Sequence, residues 1–263
     1  MKNSNFIVYL IFIIICENLG SRTINSKELL HSGVPLDDLA VLQQESYFQS
    51  NKVRYRSHKQ LTDSAFKRIT PEMAGKIYEI IKITDEILTK HHIPYWAIGG
   101  TLLGVVRHKG LIPWDDDGDI MVMQHDLQKI ITLTPEFEKL GIKVKPGNCF
   151  TKVFFNGDPV YPALDIFTGK RLGKKIISTC KPFAKKDFWS FSELFPLVRA
   201  SFGPFKILIP HEQKRYLKFK YGADYMVSGV YWNHTGIRIK EKVKIIDRRP
   251  AEYVSVHSNI HLH

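Results

Sequence analysis

Trp96 to Val122 reads WAIGGTLLGVVRHKGLIPWDDDGDIMV and places a glycine pair, a basic turn and four aspartates in one short window. Tyr95 to Ile98 is an apolar strand that runs into Gly99 and Gly100. Thr101 can then cap a short helix whose unpaired N–H groups point at whatever lies over the glycines, an arrangement suited to phosphate. After Pro113 and Trp114 come Asp115, Asp116, Asp117 and Asp119, and Ile120 to Val122 reads as a second buried strand. Alternation along an extended chain sends the Asp117 and Asp119 side chains to the same side. Two carboxylates so placed repel each other unless a cation lies between them. Hard oxygen ligands favour a magnesium-type ion that keeps part of its shell for substrate phosphates.

Each feature has a plainer reading on its own. A glycine pair commonly serves a tight turn, and aspartate runs commonly form solvated loops. The combination says more: a strand, GG, a helix, roughly fifteen residues and then D-x-D entering a strand is the order used by the nucleotidyltransferase fold, where glycines hold a triphosphate and carboxylates hold metals. That fold needs a third carboxylate on a neighbouring strand. Asp165, in Ala163-Leu164-Asp165-Ile166-Phe167, is the candidate, because a lone charge inside an apolar strand is costly unless paired or metal-bound. The alternative is a strand-end or edge aspartate facing water. Val153-Phe154-Phe155 followed by Asn156-Gly157-Asp158-Pro159 is a strand and a turn signal, so residues 142–167 read as a strand, a tight turn and a second strand carrying Asp165. The expected class is α/β (α+β), a nucleotidyltransferase-like core with a mixed sheet flanked by helices.

The stretch GGTLLGVVRHKGLIPWDDDGDIMV resembles the signature of the LicD family of phosphocholine transferases and of the related fukutin and fukutin-related proteins. Asp165-Ile166-Phe167 resembles a later D-x-F element of that family. Leu194-Phe195-Pro196-Leu197 with Phe202 to Pro210 resembles its C-terminal strand pair, and Tyr216-Leu217 with Tyr221-Gly222 resembles its Y-L…Y-G close. The resemblance, over about residues 75 to 225, implies transfer of a phosphate-linked group such as phosphocholine or ribitol phosphate from a CDP-activated donor to a glycan. It puts Gly99, Gly100 and Thr101 at the donor phosphates, Asp117 and Asp119 at Mg2+ or Mn2+, and Asp165 as third carboxylate, holding metal or accepting the proton of the attacking hydroxyl. Arg107 and His108 match its basic pair. Arg107 reads as a bidentate partner of the diphosphate or as a surface cation at a helix C-terminus. His108 reads as structural, and Lys109 as solvated. Gly118 departs from the commoner pattern, which has isoleucine or valine between the aspartates; glycine there weakens the strand.

The flanks address location. Phe6 to Cys16 is an apolar run of eleven residues, short of the about 20 needed to span a bilayer core. Residues 1–20 therefore read as a secretory signal peptide or an uncleaved signal anchor, giving membrane association through residues 6–16 and the secretory pathway as the expected location. Residues 21–68 are polar and lack periodicity, an extended arm with a short helix near 36–44. The domain is expected over 69–250, and 251–263, rich in histidine, as a tail. From Thr70, a cap residue followed by Pro71, apolar positions at Ile77, Ile80, Ile81, Ile87 and Leu88 mark an amphipathic helix ending near His91 and His92, which suit a helix C-terminal cation role. A second helix is expected over Gln124 to Leu133. Cys149 and Cys180 either pair or stay as buried thiols, and Asn233-His234-Thr235 is a glycosylation sequon.

The net charge of +12 favours anionic partners. The basic residues carry no recognised nucleic-acid motif, so no specific nucleic-acid partner is expected. Three functions remain open: the CDP-dependent transferase acting on a glycan or glycoconjugate, a nucleotidyltransferase that uses an NTP, and a non-catalytic accessory of glycan biosynthesis.

Overall fold

A computed structural model of the chain describes residues 62–158, 161–181, 188–232 and 238–256. The fold is carried by the described residues of the unit Ser57–Thr235 with Ile239–His263. The apolar run at 6–16, the short helix read near 36–44, the Asn233 sequon and the histidine-rich end at 257–263 lie outside the described residues. Among the described residues no helix is long and apolar enough to cross a membrane.

The first long element is α1 (Pro71–Lys90). Thr70 caps it by accepting from the Met73 amide at 3.2 Å, and Pro71 sits where the helix needs no amide donor. Ile77, Ile80, Ile81, Ile87 and Leu88 fall on one face and are buried with Ala74 and Tyr78. The helix ends at His91, whose Nε2 lies 2.7 Å from Glu136, so this histidine does occupy a helix C-terminus. β1 (Tyr95–Ala97), α2 (Gly99–Arg107) and β2 (Asp117–Met123) follow. Where one helix was expected over Gln124 to Leu133, the chain makes a 3-10 turn, α3 (Leu127–Thr132) and α4 (Thr134–Glu138), the break falling just before Pro135. Next come β3 (Ile142–Lys145), β4 (Phe150–Phe155) and β5 (Ala163–Leu172). The region thus holds one strand more than its sequence suggests, because Pro146-Gly147-Asn148 makes a turn that splits β3 from β4. The remaining elements are β6 (Lys175–Ser178), β7 (Phe188–Ser190), α5 (Phe191–Leu194), β8 (Val198–Phe202), β9 (Phe205–Ile209), α6 (Lys214–Tyr221), β10 (Ser228–Trp232) and β11 (Arg238–Lys244).

Seven strands form a mixed sheet in the order β1-β2-β5-β4-β3, with β6 on β5 and β7 on β6. β2 and β5 run parallel and the other neighbours antiparallel. A parallel pair requires a crossover, which α3, α4, β3 and β4 provide. β5 is hydrogen-bonded on both sides, so Asp165 is not the edge aspartate that its sequence alone left open. β8 and β9 form a separate hairpin, and β10 and β11 pair in another two-stranded sheet.

α1 packs on one face of the sheet, and Gly118 explains how closely. A Cβ at Gly118 would lie 2.9 Å from Ile81 Cδ1 and 3.2 Å from Leu164 Cδ1. The missing side chain is filled by α1, on the face of β2 opposite Asp117 and Asp119. The departure from the family pattern is thus a packing exchange that leaves the carboxylate side of the strand untouched.

Tyr78, in the middle of α1, is fully buried and ties three distant segments together. Its Oη accepts from the Leu111 amide at 2.8 Å and donates to the Ala251 carbonyl at 3.2 Å, while its ring packs against Phe202, Phe205 and Tyr253. Residues 251–256, read from sequence as part of a tail, therefore lie across α1; Tyr253 Oη also donates to Glu79 at 2.6 Å. The fold begins earlier than residue 69 as well. Phe66, assigned from sequence to the arm, is buried between Trp114 and Tyr231, each ring centroid 5.0 Å away. Asp63 accepts from the Ile246 and Asp247 amides.

Cys149 and Cys180 are joined in a disulfide that links the β3–β4 turn to the end of β6, closing a sequence separation of 31. Replacing both with serine should lower unfolding free energy by about 3 kcal/mol, read as a lower urea midpoint that no longer responds to reductant. Gly118→Val should cost about 1–3 kcal/mol through overpacking against Ile81; a wild-type melting temperature in that variant would contradict the packing described.

Candidate active site

The site is built on the N-terminal halves of β2 and β5. Their parallel register sets Asp119 opposite Asp165 and Asp117 opposite Ala163. Strand alternation brings Asp117, Asp119 and Asp165 to one face, with one carboxylate oxygen from each within 4.8 Å of the others. A second group of the same kind, Asp115, Asp116 and Asp117, shares Asp117 and comes from the loop that Trp114 anchors in the core. Asp116, Asp117 and Asp165 are all buried.

So many acids in one place change their ionisation. Burial, then Asp119, Asp115, Asp165 and Asp116 in that order, hold the Asp117 carboxyl well above the usual range. Asp115 is raised by burial and by Asp119 and Asp116, with Arg107 acting in the opposite direction. The cluster is short of positive charge, and three hard oxygens at this spacing form a donor set that fits a divalent cation of the magnesium type.

The glycine pair adjoins the acids directly. A Cβ on Gly99, whose φ is +54°, would lie 2.4 Å from Asp119 Oδ2, and one on Gly100 would lie 2.2 Å from Asp115 Oδ2. These glycines therefore make room for carboxylates, a reason for them that the sequence did not reveal. Thr101 does not cap α2: the N-cap is Ile98, and no side chain caps there. The buried Thr101 Oγ1 instead accepts from the Asp119 amide at 2.8 Å, fixing the D-x-D strand against the helix start. Gly99 N–H donates to Tyr216 Oη at 3.1 Å. At a helix start the next two amides, of Gly100 and Thr101, are not used within the helix and suit an anion.

Two cations approach this cluster differently. Lys152 stands opposite Asp165 on β4, and its Nζ lies 2.7 Å from Asp165 Oδ1 and 4.1 Å from the centre of the Tyr161 ring. Arg107 is buried rather than a surface cation at a helix end. It donates to the carbonyls of Tyr225 and Ser228 at 2.9 and 3.2 Å. Lys109 is exposed, as its sequence suggested. His108 is buried edge-on against Trp114 and accepts from Arg107 Nε at Nδ1, which leaves the proton on Nε2.

Lys152, Asp115, Tyr161 and Tyr216 belong to this site and sequence reasoning passed over them as site residues. For Lys152 a signal existed, since a lone lysine in Thr151-Lys152-Val153-Phe154-Phe155 breaks an apolar strand as Asp165 does. Tyr216 gives no local signal, because it reaches Gly99 from a helix 117 residues away.

Residues 92–212 match the family described as LicD/FKTN/FKRP, nucleotidyltransferase domain. The chain carries a LicD-family domain. An uncharacterized protein of Rickettsia typhi is 34% identical over 169 residues, covering 64% of this chain and 52% of that protein. The lipopolysaccharide cholinephosphotransferase LicD of Haemophilus influenzae is 45% identical over 52 residues, 20% of each chain. The human ribitol-5-phosphate transferase FKTN is 23% identical over 239 residues, 82% of this chain and 47% of that protein. The chain thus spans about half the length of the relatives that it matches most broadly. The LicD match takes in the glycine pair, the five aspartates, Lys152 and the β8–β9 hairpin, and it ends before Tyr216.

Within the LicD domain, His108 gives a test of the burial that supports the site. Burial and the neighbouring Arg107 push its pKa down to about 3 from the ordinary 6.5. A base depressed in this way stays neutral in the folded state while its unfolded counterpart takes up a proton. Its contribution is therefore intact above about pH 6.5 and is lost progressively as pH falls towards 3. Stability should drop by about 2 kcal/mol between pH 7 and pH 5 from this residue, and His108→Gln should flatten that part of the urea-midpoint profile.

Proposed function

We propose that this chain is a metal-dependent transferase that moves a phosphate-linked group, phosphocholine or a polyol phosphate, from a CDP-activated donor to a glycan or glycoconjugate. The observation that carries the reading is the three-oxygen group of Asp117, Asp119 and Asp165, within 4.8 Å, set against the amide end of α2. Two of the relatives, a cholinephosphotransferase and a ribitol-5-phosphate transferase, support the class of group transferred.

In this reading Asp117, Asp119 and Asp165 hold Mg2+ or Mn2+, which when bound supplies charge neutralisation at the donor diphosphate. The Gly100 and Thr101 amides orient phosphate oxygens, and Arg107 adds positive field from behind Asp115. An acceptor hydroxyl attacks in line, forming the new P–O bond as CMP departs with the electrons of the old one. Lys152, with Nζ 2.7 Å from Asp165 Oδ1, offsets part of the charge of that carboxylate and orients it for ligation. Asp115, beside Gly100 at the start of α2 and outside that ligand set, is the carboxylate placed to take the hydroxyl proton. The Cys149–Cys180 bond fits an oxidising compartment and, with the leader-like run at 6–16, supports the secretory pathway and a membrane-associated setting.

The test is a thermal-shift titration of the purified chain with CDP-choline, CDP-ribitol and the four NTPs, with and without magnesium, repeated on Asp117→Asn. Ligand at a hundred times its dissociation constant should stabilise the fold by about 2.7 kcal/mol. A metal-dependent shift with one CDP conjugate, abolished in the variant, is the expected result, and Asp165→Ala should then lose transfer while remaining folded. A shift with NTPs alone would replace this reading with nucleotidyl transfer, and no shift with any of them would favour an accessory role.

A further inference from the structure

The described acids around the glycine pair create a difficulty for any diphosphate ligand, since a divalent cation offsets only part of their charge. Lys152 is engaged with Asp165, and Arg107 with two backbone carbonyls. A third cation reaches the same corner from α6. Lys220 Nζ donates to Tyr216 Oη at 3.2 Å, and the same oxygen accepts from Gly99 N–H at 3.1 Å. The ammonium is thus one hydroxyl away from the first amide of α2, and Gly99 borders Asp119.

Tyr216 is fixed for this task. It is buried and stacked on Trp189 with ring centres 4.3 Å apart and planes at 22°. Trp189 in turn meets Trp96 edge-on at 6.0 Å, next to the β1 end that feeds the glycine pair. The four-residue spacing on α6 places Lys220 over Tyr216, with Nζ 5.6 Å from its ring centre. An ammonium is a compact point charge suited to phosphate oxygens.

We propose that Lys220 is a donor-binding residue that contacts the phosphates at the start of α2, and that Tyr216 positions it by bridging its ammonium to the Gly99 amide. This rests on the nucleotide-diphosphate reading of the same site. Both residues follow residues 92–212, and although Tyr216 falls in the stretch that resembles the family's Y-L…Y-G close, the role assigned to Lys220 comes from the geometry of this chain.

Isothermal titration of the full chain with CDP, inorganic pyrophosphate and cytidine, each with magnesium, tests it. Lys220→Met should weaken CDP and pyrophosphate roughly 10- to 100-fold, leave cytidine binding unchanged and reduce the salt dependence of CDP affinity. Lys220→Arg should recover part of the loss. Tyr216→Phe, which keeps the stack on Trp189, should weaken CDP several-fold with the apo melting temperature preserved. In turnover, Lys220→Met should raise KM for the donor more than it lowers kcat, as expected for contacts made in ground and transition states alike. If wild type binds CDP and Lys220→Met binds it equally well, or cytidine weakens in parallel, the assignment of Lys220 is wrong and the nucleotide reading stands. If wild type binds neither CDP nor pyrophosphate, both readings fall.

Discussion

The parallel pairing of β2 with β5 is the constraint on which the rest of this molecule depends. A single register sets Asp119 opposite Asp165 and carries Asp117 to the same face. A slip of one residue would turn either strand's acids towards α1 and its apolar residues towards the site. The register is held by burial on the other face, where Ile81 occupies the place of a side chain at Gly118. The chemistry of one side of the sheet is therefore fixed by helix packing on the other.

Concentrating carboxylates in a buried corner is costly, and the fold spreads the compensation over several elements. β4 contributes Lys152 against Asp165. The positive end of α2 faces Asp119 and Asp115 through glycines that permit close approach. The Thr101 hydroxyl accepts from the Asp119 amide, holding the strand while the Asp119 carboxylate stays with the cluster. Arg107 acts on Asp115 at longer range. Opposing charges of this kind reduce the penalty without removing it, which is the condition under which a cation binds readily.

The parts legible in the sequence were those whose signals are local. The cap and apolar spacing of α1, the strand–GG–helix unit, the D-x-D strand and the lone charge of Asp165 each lie within a few residues and obey a simple period. What escaped depends on distant partners. Thr101 looked like a helix cap because its bond to the β2 backbone spans 18 residues. Residues 251–256 looked like part of the histidine-rich tail, and only their distant partners on α1, Tyr78 and Glu79, show that they belong to the core. Cys149 and Cys180 could be paired only once β4 and β6 were placed on β5.

Tyr78 has a consequence for how the chain is made. Its hydroxyl joins residue 111 to residue 251, and its ring meets residues 202, 205 and 253. A chain emerging from the ribosome with α1 and the β1–α2–β2 unit complete still lacks the last partners of this tyrosine. Its central helix waits, incompletely covered, until residues 251–253 are available. Nascent chains thus leave apolar surface of α1 exposed until that distant segment has emerged.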